Sequence, residues 1–300
     1  MTEDQYTPQH PTEQYGQRQG QPGQQQSAPG TERRMGPQPD HGEESYRGSD
    51  RLSGKRALIT GGDSGIGRAV AVAYAREGAD VLISYLGEEE EPDARETVRL
   101  VEEAGRRGVA VRCDIRDEAN CRDLVDRTLS DLGGIDILVN NAAYQMAQDK
   151  GLFEISTEQF DRVFKTNVYA MFWLCRLAVP HMAEGSTIIN TSSVQAFNPS
   201  PELLDYATTK AAIANFTKAL ALNLADHGIR VNAVAPGPIW TPLIPATMPE
   251  EKVKQFGTDT PVGRPGQPAE LAPAYVFFAS QESSYVTGEI LGVTGGKLTR

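Results

Sequence analysis

The chain has 300 residues, with 29 Lys and Arg against 40 Asp and Glu and a formal net charge of -11, and so lacks the broad positive field that a nucleic-acid backbone requires of its partner. Its three cysteines, Cys113, Cys121 and Cys175, form neither an even set nor a CxxC pair, which argues against a disulfide framework or a zinc site and fits a reducing cytoplasm. The most apolar stretch, residues 168–180, is too short to span a bilayer and carries Arg176, so it reads as a buried helix rather than a membrane segment.

From the amino terminus, residues 1–50 are rich in Gln, Pro and Gly and almost free of aliphatic side chains. They lack the apolar run of a secretory signal and any pattern able to build a core. Residues 1–30 are expected to be disordered. Residues 31–50 are less repetitive, and are expected either to stay a flexible tail or to lie as an extended arm over the body or a neighbouring subunit. Residues 51–300 read as one domain, since no break in composition divides them.

Beyond residue 56, short apolar runs alternate with longer helical patterns. The runs RALIT (56–60), DVLISY (80–85), GVAVRCDI (108–115), IDILVNNA (135–142), STIINTSS (186–193), IRVNAVAPG (229–237) and EILGVTGG (289–296) predict seven strands. Helices are expected over 66–78, 118–133 and, as one stretch, 157–182. The acidic run at 87–96 reads as the solvated start of another helix, favourable near the positive end of its dipole. Near-continuous apolar strands separated by helices argue for an α/β, Rossmann-type doubly wound parallel sheet with helices on both faces. Residues 237–270 are dense in Pro and Gly yet hold Ile239, Trp240, Leu243, Ile244 and Phe256, the composition of a lid or binding element rather than a linker. No grouping of His, Cys and carboxylates has metal-ligand spacing.

Residues 61–67 hold four glycines between the first strand and the first helix. Each costs roughly 0.5–1 kcal/mol relative to alanine in regular structure. A bare backbone is needed where it approaches a ligand closely. A helix amino terminus at the carboxyl edge of a parallel sheet offers free N–H groups and a positive dipole end to a pyrophosphate. The Lys-Ser/Thr pair of a phosphate-binding P-loop does not follow. Instead TGGDSGIG (60–67) resembles the TGxxxGxG fingerprint of the short-chain dehydrogenase/reductase family. NNAA (140–143), Asn167, Ser193, the YxxxK motif YATTK (206–210) and PG (236–237) follow in the family's order. The resemblance runs from residue 52 to the end.

It implies an NAD(P)-dependent oxidoreductase that interconverts a carbonyl, in an aldehyde, ketone or sugar, and an alcohol by hydride transfer. Tyr206 would be the general acid/base. Lys210, four residues on and so on the same helical face, would lower the tyrosine pKa through its charge and hold the nicotinamide ribose. Ser193 would polarise the substrate oxygen, preferred to Ser192 on its distance from the tyrosine, and Asn167 would support a proton relay through water. Coenzyme contacts are implied for Gly61, Asp63, Ser64, Gly65, Ile66, Gly67, Tyr85, Asp114, Ile115, Asn141, Ala142, Tyr206, Lys210, Pro236, Gly237, Ile239 and Thr241, with Asp114 on the adenine amino group unless it caps the following helix, a task for which Asp117 is better placed. The substrate would lie among Ser193, Gln195, Tyr206 and the 237–270 loop, with Phe197, Trp240 and Leu243 as apolar walls.

Coenzyme choice is normally written at the end of the second strand. Ser84 and Tyr85 there are not acidic, which removes the usual NAD determinant. Asp63 stands where NADP-dependent members often place Lys or Arg, and Glu88 to Glu91 would repel a phosphate nearby. The balance leans slightly to NADP, with NAD open. Ala143 and Thr294 replace a Gly and an Asp frequent in the family, the latter near subunit contacts. The long amino-terminal extension is similar to that of a bacterial subgroup of aldehyde or glucose/ribitol-type dehydrogenases, and the family implies a homotetramer. Two alternatives stand beside this reading: a dinucleotide-responsive binding or regulatory protein without turnover, and an enoyl reductase, whose Tyr and Lys would be spaced farther apart.

Overall fold

The computed structural model describes residues 4–15 and 20–299. The seven apolar runs form β1 (Arg56–Thr60), β2 (Asp80–Tyr85), β3 (Gly108–Arg112), β4 (Ile137–Asn140), β5 (Thr187–Thr191), β6 (Arg230–Pro236) and β7 (Ile290–Val293). They pair in parallel in the order β3-β2-β1-β4-β5-β6-β7. The winding reverses between β1 and β4, where Ala57 stands opposite Ile137 and Ile59 opposite Val139. A crevice therefore opens at the carboxyl ends of these two strands.

The helices are α1 (Gly65–Arg76), α2 (Glu91–Glu103), α3 (Glu118–Leu132), α4 (Thr157–Phe164), α5 (Ala170–Ala178), α6 (Leu204–Leu224), α7 (Leu243–Thr247), α8 (Glu250–Lys254) and α9 (Pro268–Ala279). Strand periodicity of two sends Ile59, Ile83, Val139, Ile189 and Val234 into a core with α1, α2 and α9. The intervening residues Leu58, Leu82, Leu138, Ile188 and Val231 enter a second core with α3, α5 and α6. Each of those ten side chains is buried, which is why the strands read as continuous apolar runs instead of alternating ones.

Four local expectations are corrected. The helix expected over 157–182 is broken by a π turn at Lys165–Tyr169 between α4 and α5, and ends in a 3-10 turn at Val179–His181. Inside the π turn the buried Asn167 side chain accepts from Tyr144 N (2.8 Å) and donates to Tyr144 O and to Thr209 Oγ1 (3.0 Å each), tertiary bonds that an unbroken helix would not aim the same way. The acidic run is not wholly solvated: Glu90 and Asp93 are buried, Glu90 taking the Leu86 and Gly87 amides and Asp93 the Glu32 amide. The 237–270 segment is less irregular than its Pro and Gly content predicts, since it folds into α7 and α8 around a small core of Met35, Trp240, Ile244 and Val253.

The fourth concerns the amino-terminal region. Residues 1–3 and 16–19, within the stretch expected to be disordered, lie outside the described residues. Residues 20–30 follow an extended course along the body, with Gln21 N donating to Lys254 O (3.0 Å) and Gln26 N to Pro245 O (2.9 Å). Such anchoring uses backbone groups, so an absence of aliphatic side chains does not prevent it. Residues 31–50 continue as an arm over the same chain, and Thr31, Glu32, Met35, His41 and Tyr46 are buried. No helix among the described residues is long and apolar enough to cross a membrane.

Candidate active site

A cleft of about 300 Å³ lies at the carboxyl ends of the strands. Its floor is the turn from β1 into α1. Gly61 and Gly65 have φ of +62° and +49°, the left-handed region that a side chain strains. A Cβ on Gly67 would stand 1.9 Å from Gly61 O, so the third glycine is required by the backbone folding back on itself. The NNAA segment is stitched to this turn: Thr60 Oγ1 accepts from Asn141 N (3.0 Å) and Ala142 N (3.1 Å), and Asn141 Nδ2 donates to Thr60 O and Gly61 O (3.0 Å each).

Of the residues expected to contact coenzyme, all but Gly67 line this one cleft, and Ser193 and Gln195 line it with them. Gly67 sits behind the loop and shapes it. Asp114 faces the cleft with both carboxylate oxygens engaged by the Arg116 guanidinium (2.5–3.2 Å), while Asp117 caps α3 by accepting from Ala119 N (2.8 Å). The two adjacent serines divide. Ser192 is buried with its hydroxyl donating to Lys210 O (2.9 Å), whereas Ser193, at the start of a short turn, accepts from Gln195 N (3.1 Å) and meets the Tyr206 hydroxyl. Asn167 does not line the cleft, because its amide is spent on Tyr144 and Thr209. Of the expected apolar walls only Leu243 is there. Trp240 is fully buried and turned away, its indole N–H donating to Pro37 O in the arm (2.9 Å); Phe197 is not among the lining residues.

Tyr206 and Lys210 project from one face of α6, with Lys210 Nζ 5.2 Å from the Tyr206 ring centre and donating to Thr191 O (2.8 Å). Both are buried, and burial governs their titration. It pushes the Tyr206 hydroxyl up to about 12, against a contact with the Ser193 hydroxyl that pulls it down, and brings the Lys210 ammonium down to about 7. The expected fall in the tyrosine pKa is thus not found, since losing hydration on burial outweighs what the Ser193 contact returns. At the other end of the cleft burial pushes Asp63 up to about 6. Burial and the Asp63 charge push Glu90 up to about 8.

Sequence reasoning missed Tyr144 and Gln145, and also Ala28, Pro29 and Gly30 of the arm, all of which line the cleft. No periodicity marks them. Phe256, with Thr247 and Met248, lines it from within the 237–270 segment, whose apolar content marks it as a binding element.

Comparison with known proteins agrees with this geometry. The family described as "Enoyl-(Acyl carrier protein) reductase" matches residues 61–297. The chain is 54% identical over 276 residues to the uncharacterized oxidoreductase YhdF of Bacillus subtilis, spanning 92% of this chain and 94% of that one. It is 49% identical over 277 residues to the chloroplastic NADPH-dependent aldehyde reductase 1 of Arabidopsis thaliana, with 91% and 96% covered. Among solved structures, a short chain dehydrogenase from Burkholderia cenocepacia in complex with NADP superposes with a TM-score of 0.76 at 34% identity, covering 82% of this chain and 99% of that one.

Proposed function

Because this chain belongs to the short-chain dehydrogenase/reductase family of oxidoreductases, we propose that it reduces the carbonyl of an aldehyde, ketone or sugar with NADP(H), and oxidises the corresponding alcohol in reverse. The observation that carries the reading is the convergence of Tyr206, Lys210 and Ser193 on the cleft that also holds the glycine turn.

The residues fit a dinucleotide. Gly61 and Gly65 leave a cradle that side chains would close, and Asp63 Oδ2 is buried without a hydrogen-bond partner among the described residues, an acceptor suited to a ribose hydroxyl. Bound there, the coenzyme supplies the hydride. Tyr206, neutral below its raised pKa, would donate its proton to the carbonyl oxygen. The Ser193 hydroxyl holds that oxygen and polarises it. Lys210 offers its ammonium to the ribose and the developing phenolate. Asn167 acts as a positioning residue, tying the Tyr144 loop to Thr209 on α6. The non-acidic end of β2 and the NADP-associated relatives favour NADP, and burial together with the Asp63 charge favours the neutral form of Glu90, which lessens its repulsion of a phosphate. The description of the matching family raises enoyl reduction, but the four-residue Tyr206–Lys210 interval favours the carbonyl. Assembly as a homotetramer follows from the family resemblance, the exposed Phe160, Tyr169 and Phe172 on and between α4 and α5 fit an interface between copies, and light scattering at four times the chain mass tests it.

The deciding experiment follows the reduced-coenzyme absorbance with NADPH and NADH over aldehydes, ketones, sugars and an enoyl thioester. Tyr206→Phe is expected to lose about 10²–10⁴-fold in kcat, the usual contribution of general acid catalysis, while still binding coenzyme. Turnover of the wild type no faster than that of Tyr206→Phe across the panel refutes the reading.

A further inference from the structure

We propose that the amino-terminal arm is a working wall of the coenzyme site, and that Glu32 on it is a positioning residue for the glycine turn; this rests on the coenzyme reading above. Three observations converge. First, Ala28, Pro29 and Gly30 line the same cleft as Gly65, Ile66 and Thr241. Second, Glu32, although polar and 31 residues upstream of Asp63, is 2% exposed and accepts the Gly65 amide on Oε2 at 2.9 Å. Gly65 opens α1, whose first intrahelical bond is Arg68 N to Ser64 O (3.0 Å); the amides before it are those a helix leaves without internal partners and turns toward an anion. Third, the arm packs against the 237–270 segment beside that turn, which itself meets the same segment. A Cβ on Gly30 would stand 2.4 Å from Pro242 O, and a Cβ on Gly65 3.0 Å from Thr241 Cγ2.

A buried carboxylate next to a pyrophosphate site would repel the ligand unless it were neutralised. His41 of the arm stands 3.2 Å from Glu32 Oε1, an ion-pair distance, and Glu32 N donates to Asp93 Oδ2 (2.7 Å). Arg68 holds the far side of the turn through Asp63 O (2.7 and 2.9 Å) and Asp93 O (3.0 Å). Burial alone would favour the neutral acid, but His41, Arg68 and the Gly65 amide together hold Glu32 ionised below the ordinary carboxylate range. The turn is therefore fixed from both sides before ligand arrives, by a residue that a minimal chain starting at residue 51 would lack.

The test titrates NADPH into full-length protein and follows nicotinamide fluorescence. Glu32→Ala is expected to raise Kd about tenfold, the equivalent of one lost cap-type hydrogen bond, with kcat at saturating coenzyme within about twofold of wild type. Glu32→Gln keeps an oxygen for the Gly65 amide and is expected within about threefold of the wild-type Kd. Gly30→Ala, which pushes the wall off Pro242 without touching the turn, is expected to weaken NADPH as well and carries the test if Glu32→Ala does not fold. An unchanged Kd in folded Glu32→Ala or Gly30→Ala, or equal losses in Glu32→Ala and Glu32→Gln, overturns the proposal and leaves the coenzyme reading intact. A wild type that binds neither coenzyme overturns both.

Discussion

Lys210 shows what the chemistry costs the fold. The residue is 2% exposed and its ammonium donates to Thr191 O, and burial brings its pKa from near 10.5 to about 7. The unfolded chain keeps the lysine proton up to about pH 10.5 while the folded chain releases it above about 7. Between those values the unfolded state binds more protons, so this group makes stability rise with pH; its penalty is complete below about 7 and gone above 10.5. Lys210→Met should therefore stabilise the coenzyme-free protein at pH 7 by on the order of 2 kcal/mol, the burial penalty less the cost of leaving the Thr191 carbonyl without its donor, while abolishing turnover. Melting curves of both proteins from pH 6.5 to 10.5 read it. The gap should close as pH rises, and a gap independent of pH would show that the buried charge is not its source.

At the scale of elements, the turn between β1 and α1 depends on close approach more than on flexibility. Gly67→Ala places a methyl group 1.9 Å from Gly61 O and against Asn141 Nδ2 (2.8 Å), so the turn or the NNAA segment must move. At Gly54, where φ is +73° but nothing lies within 4 Å of a Cβ, Gly54→Ala pays backbone strain alone, about 1 kcal/mol. Coenzyme titration and melting should separate the two, Gly67→Ala losing measurable NADPH binding and Gly54→Ala keeping it. Retained affinity in Gly67→Ala would mean the turn tolerates displacement. This element was legible because its glycines sit between a strand pattern and a helix pattern. The sheet was legible for a similar reason, as strands buried on both faces announce themselves in runs such as ALI and ILV. The π turn was not, because what breaks the helix is the bonding of Asn167 to Tyr144 and Thr209, partners that no local pattern reveals. The direction of the Tyr206 shift was missed for the same kind of reason: the motif gives the spacing to Lys210, but not the depth at which both groups are buried.

For the whole molecule the least legible part is also the part that ties it together. The arm is held by pairings across more than two hundred positions, Trp240 Nε1 to Pro37 O (2.9 Å) and Asp40 N to Gln267 Oε1 (3.0 Å), and by a knot at the end of α1. There Glu77, with its side chain fully buried, accepts from Tyr46 Oη (2.7 Å), Ser49 N (2.9 Å), Arg51 N (3.0 Å) and the Arg51 guanidinium (2.6 and 3.1 Å). Burial favours its neutral form, but these donors win and bring it down to about 2. A carboxylate with a depressed folded pKa contributes stability that is present above its unfolded value of about 4.5 and lost as pH falls toward 2. Acid should therefore loosen the arm first. Wild-type melting temperature is expected to fall more steeply than that of Glu77→Gln between pH 5 and 3, and limited proteolysis at pH 3.5 should cut within residues 20–50 before the sheet. At pH 7, Glu77→Gln should already be less stable by about 2 kcal/mol, since the Arg51 charge then faces a neutral amide. Parallel melting profiles for the two proteins, or first cuts in the body with the arm intact, would show that the arm is held by its backbone anchors at Lys254 and Pro245 and not by this knot. If the arm does loosen in acid, NADPH affinity should fall over the same pH range, because the residue that fixes the glycine turn departs with it.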